Sequence, residues 1–521
     1  MLPPSEDFIA SRDQFRRRVA EVLGLADDRQ FLRLIWAVDA LQNERSEAAL
    51  GYLDAVPPAA ITSDIASPHA VRSWELETLA NELLATPKDA IRLLDCRSWE
   101  TVAELVNLLR ALENAEYGAR QGAVPILREM YRIGGRQFEW QRGFFSVRHF
   151  YRYVFIYGQG ACAEYFQEVH SVTIPEMTMM GFALMAAFLE HPNYDRRGDL
   201  AIIGITPETR ERVLSLVAAP LPEVRALAAT IRAEGAETAY RPSVLRRFPC
   251  IAVGHRGRHL LAPIPQLIIA RVTSGLFYDV VGGGGRVRED YGRRFETYAR
   301  RHLDAALPEL GVIPEWRYGP RRGAVDTPDL LCPIHEGEEI AIAIECKATR
   351  MSIAARFDDA AVEEQGYEEM ARAVFQLWRF FSHCRRGLTG RAASADAVGI
   401  VLTLDDWLVM GLPLQEDVLA RAEVISRQRD PEITADDRRT ILFVSMADLE
   451  RLLVTATPAT FRAAVALAVT DNRRGWLLSQ VHLEVAPEDA VPRPFPFNDD
   501  IGELMPWWAQ FADEAAEHDM P

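Results

Sequence analysis

The octapeptide Ile340-Ala341-Ile342-Ala343-Ile344-Glu345-Cys346-Lys347 constrains this chain more than any other stretch. Isoleucines alternating with alanines suit a pleated, buried strand. Side chains on a strand point to opposite faces with period two. Ile340, Ile342, Ile344 and Cys346 are therefore expected on one face, and Ala341, Ala343, Glu345 and Lys347 on the other. The small alanines leave room beside the two charges. An exposed edge-strand pair would contribute only ~0–1 kcal/mol, and a strand this apolar is a poor host for a pair kept for stability alone.

The lysine is itself unusual. The chain holds two lysines, Lys88 and Lys347, against 56 arginines. Arg is a planar fork that stays protonated, whereas Lys is a compact point charge whose pKa its surroundings can move. Upstream stands Asp329, in Asp326-Thr327-Pro328-Asp329-Leu330-Leu331. Thr327 to Ile334 reads as a second strand, with His335-Glu336-Gly337-Glu338-Glu339 as a polar hairpin turn. Antiparallel pairing across that turn brings Asp329 toward Glu345. Two carboxylates on adjacent strands make a hard-oxygen site suited to Mg²⁺.

Further elements flank this hairpin. Tyr291 to Leu303 reads as a helix with Phe295, Tyr298 and Ala299 on one stripe and Glu296 beside it, facing either the sheet or solvent. Ala360 to Cys384 reads as a long helix carrying Gln376, and Ala397 to Leu404 as a buried strand. The order is helix, strand, hairpin, long helix, strand.

That order and those residues resemble the core of the PD-(D/E)XK nuclease superfamily, the restriction-endonuclease-like fold, over about Gly292 to Asp405. The Tyr291–Tyr298 stretch is most similar to restriction enzymes and resolvase-type members. The resemblance implies that Asp329 and Glu345 ligate Mg²⁺ or Mn²⁺, and that Lys347 orients the attacking water and offsets transition-state charge. It implies Glu296 as an auxiliary metal ligand and Gln376 as a further catalytic residue. The implied activity is metal-dependent endonucleolytic hydrolysis, with DNA favoured over RNA and a bacterial defence or restriction setting. The runner-up is a catalytically silent nucleic-acid- or protein-binding scaffold that retains the fold.

Net charge is −17, which looks wrong for a partner of nucleic acid until its distribution is followed. The stretch from Glu484 onward is rich in acids and holds one arginine, whereas six arginines lie between Arg286 and Arg301. Phosphate contacts need a local basic surface, not a basic whole. Arg293, Arg294, Arg321, Arg322 and Arg350 are the candidate nucleic-acid contacts, with solvated faces as the bland alternative.

At 521 residues several domains are expected. The expected fold class is multidomain α + α/β. Its parts are a mainly helical region over 1–281, a glycine linker over 282–285, an α/β nuclease-like domain with a mixed sheet over 286–480, and an acidic Pro/Trp-containing tail over 481–521. Helices are expected at Phe15–Leu23, Gln30–Leu41, Ser73–Leu84 and Trp99–Leu112. Thr173-Ile174-Pro175-Glu176 reads as a capping box opening a Met-rich core helix. Arg132 to Tyr157 interleaves arginines with aromatics, a pattern that can stack bases but suits a core with an arginine face better. The longest mostly apolar run, Met177 to Leu189, is too short to span a membrane. Six scattered cysteines without Cys-x-x-Cys spacing predict reduced thiols and a cytoplasmic location, and argue against zinc. No phosphate-binding Gly-x-x-x-x-Gly-Lys-Ser/Thr loop is present. A regulatory protein partner or self-association remains open, with the acidic tail as a candidate docking or autoinhibitory segment.

Overall fold

The computed structural model describes residues 6–120, 126–144, 146–235, 237–334, 339–350, 365–406 and 411–508. The chain forms a mixed α and α/β fold. Its first half is mainly helical, and the expected helices occur as Glu6–Gly24, Asp28–Gln42, Ser73–Ala85 and Trp99–Gly118. The Thr173 capping box opens the helix Ile174–Glu190, with Thr173 Oγ1 accepting from the Glu176 N–H and Glu176 accepting from the Thr173 N–H. Among the described residues no single helix is long and apolar enough to cross a membrane. The Gly160–His170 and Ile174–Glu190 helices together meet that test but are bent by 72°.

The first half also carries a sheet that the helical reading lacks. Its strands are β1 (Asn193–Asp195), β2 (Ala218–Pro220), β3 (Cys250–Val253) and β4 (His259–Leu261), in the order β1-β4-β3-β2. Strands of three or four residues leave too few alternations to be legible. His255–Gly257 is a 3₁₀ turn between β3 and β4.

The second half contains β5 (Ile313–Pro314), β6 (Arg317–Tyr318), β7 (Val325–Asp326), β8 (Leu330–Pro333), β9 (Ile340–Lys347), β10 (Ala393–Thr403) and β11 (Ile441–Ser445). The main sheet runs β11-β10-β9-β8-β5, while β6 and β7 form a separate ribbon. β9, β10 and β11 are mutually parallel, and β8 returns antiparallel to β9. The sheet is covered on both faces. Ile342, Ile344, Cys346, Ile400 and Leu402 join the core containing Phe295, Tyr298 and Leu303 of the helix Gly284–Ala306. Leu331, Ala343, Val401 and Phe443 face the other way, packing with Met370, Val374 and Leu377 of the helix Gln365–Arg385. Gly399 permits that close approach, because a Cβ there would lie 2.4 Å from Ile441 and 3.2 Å from Leu377.

One detail corrects the expected alternation. Against β8 the register shifts between Ile340 and Ile342, leaving Ala341 as a bulge, whereas against β10 the extra residues lie on β10 between Ala393 and Val398. An extra residue flips the pleat, so Ile340 packs with Ala343 while Ala341 packs against the opposite core. The strict period two holds from Ile342 to Lys347.

The glycine run is no open linker. Val281–Gly283 is a 3₁₀ turn and Gly284 begins the long helix. A single hydrophobic core extends from Phe150 across this run to Trp507, so the expected boundary does not coincide with a break in packing. The tail, through Trp508, is also packed. Phe497 stacks on Tyr151 with centroids 5.4 Å apart, and Trp508 stacks on Phe150 at 5.3 Å. The basic-aromatic stretch is likewise structural: Arg132 pairs with Glu237, Arg136 with Glu113 and Arg152 with Glu450. Phe145 and the turn at 335–338 lie outside the described residues.

Candidate active site

The β8–β9 register sets the geometry. Leu330 lies opposite Ile344 and Leu331 opposite Ala343, so Asp329, one residue before β8, comes level with Glu345. Leu331 and Ala343 share one core, and period two places Asp329, Glu345 and Lys347 on that same face. The carboxyl end of β9 is therefore where the charges gather. Lys347 Nζ donates to Glu345 Oε1 at 2.6 Å, and the Cys346 N–H donates to Asp329 Oδ2 at 2.6 Å. The Glu345 side chain is 3% exposed and that of Lys347 21%.

The electrostatics show excess acid. Burial, then the neighbouring Glu345, pushes the Asp329 carboxyl well above the usual range, with Glu296 adding to it and Lys347 opposing. Burial, then Glu315 and Glu345, raises Glu296 to about 7. Burial, then Asp326 and Glu345, raises Glu315. Burial works against the Lys347 ammonium, but Glu345 and Asp329 outweigh it and hold its pKa above the ordinary lysine value. Four carboxylates thus share essentially one ammonium, a crowding of like charge that a bound cation would relieve. Glu345 Oε2 is buried and accepts no hydrogen bond among the described residues. The donor set is all carboxylate oxygen, which fits Mg²⁺ or Mn²⁺. No group of three or more His, Cys, Asp or Glu among the described residues is already arranged to hold a metal ion. Lys347 engages one oxygen of Glu345 and the Cys346 N–H one oxygen of Asp329.

Glu315 went unnoticed in the sequence because β5 is only two residues long, which leaves no alternation to read. Glu369 was missed too; it accepts a hydrogen bond from Thr349, just beyond the motif. Gln376 is half-buried on the same helix between core residues Phe375 and Leu377, and makes no hydrogen bond among the described residues. The structure does not tie it to the acidic cluster.

The arginines divide sharply. Arg321 and Arg322 are exposed between β6 and β7, and Arg293 is 68% exposed one turn before Glu296, its side chain pairing with Asp290 at 3.2 Å. Arg294 is mostly buried and held by Asp290, which also accepts from the Cys162 N–H. Arg350 is a correction. Its side chain is 7% exposed, pairs with Asp405 and donates to the Ser274 carbonyl, with the Tyr153 and Phe277 rings beside it. A guanidinium held this way is committed to Asp405 and Ser274, apart from the exposed arginines Arg293, Arg321 and Arg322.

Comparison of the chain with protein-family models, with curated proteins and with solved structures gives no match.

Proposed function

We propose that this chain is a metal-dependent nuclease with a restriction-endonuclease-like core, hydrolysing phosphodiester bonds with DNA favoured over RNA. The observation that carries the reading is the placement of Asp329, Glu345 and Lys347 on one face at adjoining strand ends, with Glu296 and Glu315 crowding the same site. Asp329 and Glu345 would hold the ion, with Glu296 beside them. A divalent ion there supplies Lewis acidity toward a phosphoryl oxygen and a more acidic bound water. Lys347 Nζ lies beside Glu345 at 2.6 Å, where its ammonium would add positive charge next to the ion. Positive charge held where negative charge develops favours the transition state. Arg293, Arg321 and Arg322 are exposed near these residues in the chain and suit contacts to a phosphate backbone.

The closed Lys347–Glu345 contact favours one second reading, a silent scaffold that retains the fold. Purified full chain with supercoiled DNA, linear single strands and RNA, each with Mg²⁺, Mn²⁺ or EDTA, separates the two. Cleavage that needs the metal supports the nuclease. Intact substrates under all conditions, with retained nucleic-acid binding, support the scaffold.

A further inference from the structure

A cavity of about 310 Å³ opens beyond the carboxyl ends of β10 and β11, away from the acidic cluster. That volume lies within the ~300–1,000 Å³ range of small-molecule sites. Ligands in open α/β sheets settle outside the carboxyl ends of parallel strands. Here the wall comes from Leu404 and Asp405 after β10, from Glu450 on the helix Met446–Leu453, and from the first-half helices Ile126–Arg142 and Val147–Tyr157.

The charge in this wall does not balance. Arg142 pairs with Asp406, Arg152 with Glu450, and Arg350 with Asp405. The remaining carboxylate, Glu139, is engaged by Arg246 at 2.6 Å. Arg246 also holds Glu77, so the five lining arginines outnumber the four lining carboxylates by one, and two of those arginines have no acid partner. Arg148 and Arg451 pair with no carboxylate among the described residues. Burial, reinforced by Arg152, lowers the pKa of the lining His149 to about 3, so its imidazole is neutral and the surplus is not the histidine's. Phe138 supplies an aromatic wall.

We propose that this cavity binds a phosphomonoester dianion carried on a nucleoside, with Arg148 and Arg451 holding the phosphate and Phe138 against the base. Two guanidinium groups without an acid partner, in a wall of net positive charge, offer forked donors to phosphate oxygens. Aromatic faces accept any base. The site also touches the motif strand, since the Leu404 N–H donates to the Lys347 carbonyl at 3.1 Å. The inference stands apart from the hydrolytic reading, because binding is measured without turnover.

The test is isothermal titration of the full chain with AMP, adenosine, and a trinucleotide with or without a 5′ phosphate. AMP should bind and adenosine should bind at least about tenfold more weakly, given the strength of charge-assisted hydrogen bonds. Arg451→Ala, at an exposed position, and Arg148→Ala should each weaken AMP by about tenfold or more. Phe138→Leu should weaken AMP while keeping the preference over adenosine. Preference for the 5′-phosphorylated trinucleotide over AMP assigns a strand terminus as the source, and the reverse assigns a free mononucleotide. No heat with AMP at millimolar concentration, or undiminished AMP binding in folded Arg451→Ala, overturns the proposal.

Discussion

Arg152→Met probes the bridge that joins the helical half of the chain to its α/β half. Arg152 lies on the helix Val147–Tyr157 before the glycine run, and Glu450 lies on the helix after β11. The guanidinium grips Glu450 through two hydrogen bonds, Nε at 2.9 Å and a terminal nitrogen at 2.5 Å, with both side chains under 10% exposed. Tyr298 of the helix Gly284–Ala306 donates to the same carboxylate at 2.7 Å. Breaking a buried pair by removing one partner costs about 3–5 kcal/mol, because a charge is left uncompensated. The surviving Tyr298 hydrogen bond offsets about 1 kcal/mol, so Arg152→Met should cost about 2–4 kcal/mol. Arg152→Met/Glu450→Leu removes both charges and should recover most of that loss. Urea denaturation of the four proteins at neutral pH measures the cycle. Burial alone would raise the Glu450 carboxyl, but Arg152 outweighs it and holds the pKa below the ordinary value. A depressed acid contributes stability above its unfolded pKa and loses it as pH falls through the folded value. Without Arg152 the buried carboxyl titrates above its ordinary value, so the Arg152→Met penalty should shrink as pH falls through that raised value and disappear below the depressed wild-type value. A penalty under about 1 kcal/mol, or a double variant no better than the sum of the singles, would refute the bridging role.

A fragment spanning 286–480 should be unfolded or aggregated, since the core shared with Phe150, Phe166 and Phe188 would be exposed; a cooperative thermal transition in that fragment would contradict the single core. His302 is held between Tyr298 and Phe497, and burial lowers its pKa to about 4. The unfolded chain takes up a proton that the folded chain refuses, so stability falls as pH drops from about 6.5 to 4, by about 3 kcal/mol from this group. His302→Phe should remove that share of the acid sensitivity, read from urea midpoints at the two pH values. Lys347→Arg should abolish cleavage, because the planar fork does not reproduce a compact ammonium beside Glu345; full activity on plasmid DNA would show that only generic charge is needed there.

The motif strand was legible because six consecutive residues, Ile342 to Lys347, keep strict alternation, and because a hairpin brings Asp329 level with Glu345 without long-range information. The Ala341 bulge was not, since it arises from how β8 pairs with β9. Glu315 enters the site from the end of a two-residue strand, where no periodicity exists. Arg350 reads like any other arginine after a basic motif, and only the fold supplies the Asp405 and Tyr153 cage that removes it from the surface. The glycines at 282–285 read as a linker for their lack of side chains. Packing decided otherwise: a Cβ on Gly283 would fall 2.4 Å from Val287 and 3.0 Å from Tyr165.

The most direct test of the hydrolytic site is single-turnover cleavage of end-labelled duplex DNA with Mn²⁺ by the wild type and by Glu345→Gln. Gln keeps the shape and removes the charge on which both Lys347 and a divalent ion would depend. The wild type should cleave only with the metal, and the variant should lose about 10³-fold or more in rate with its melting temperature close to wild type. Equal cleavage rates in the two proteins would place the chemistry away from Glu345.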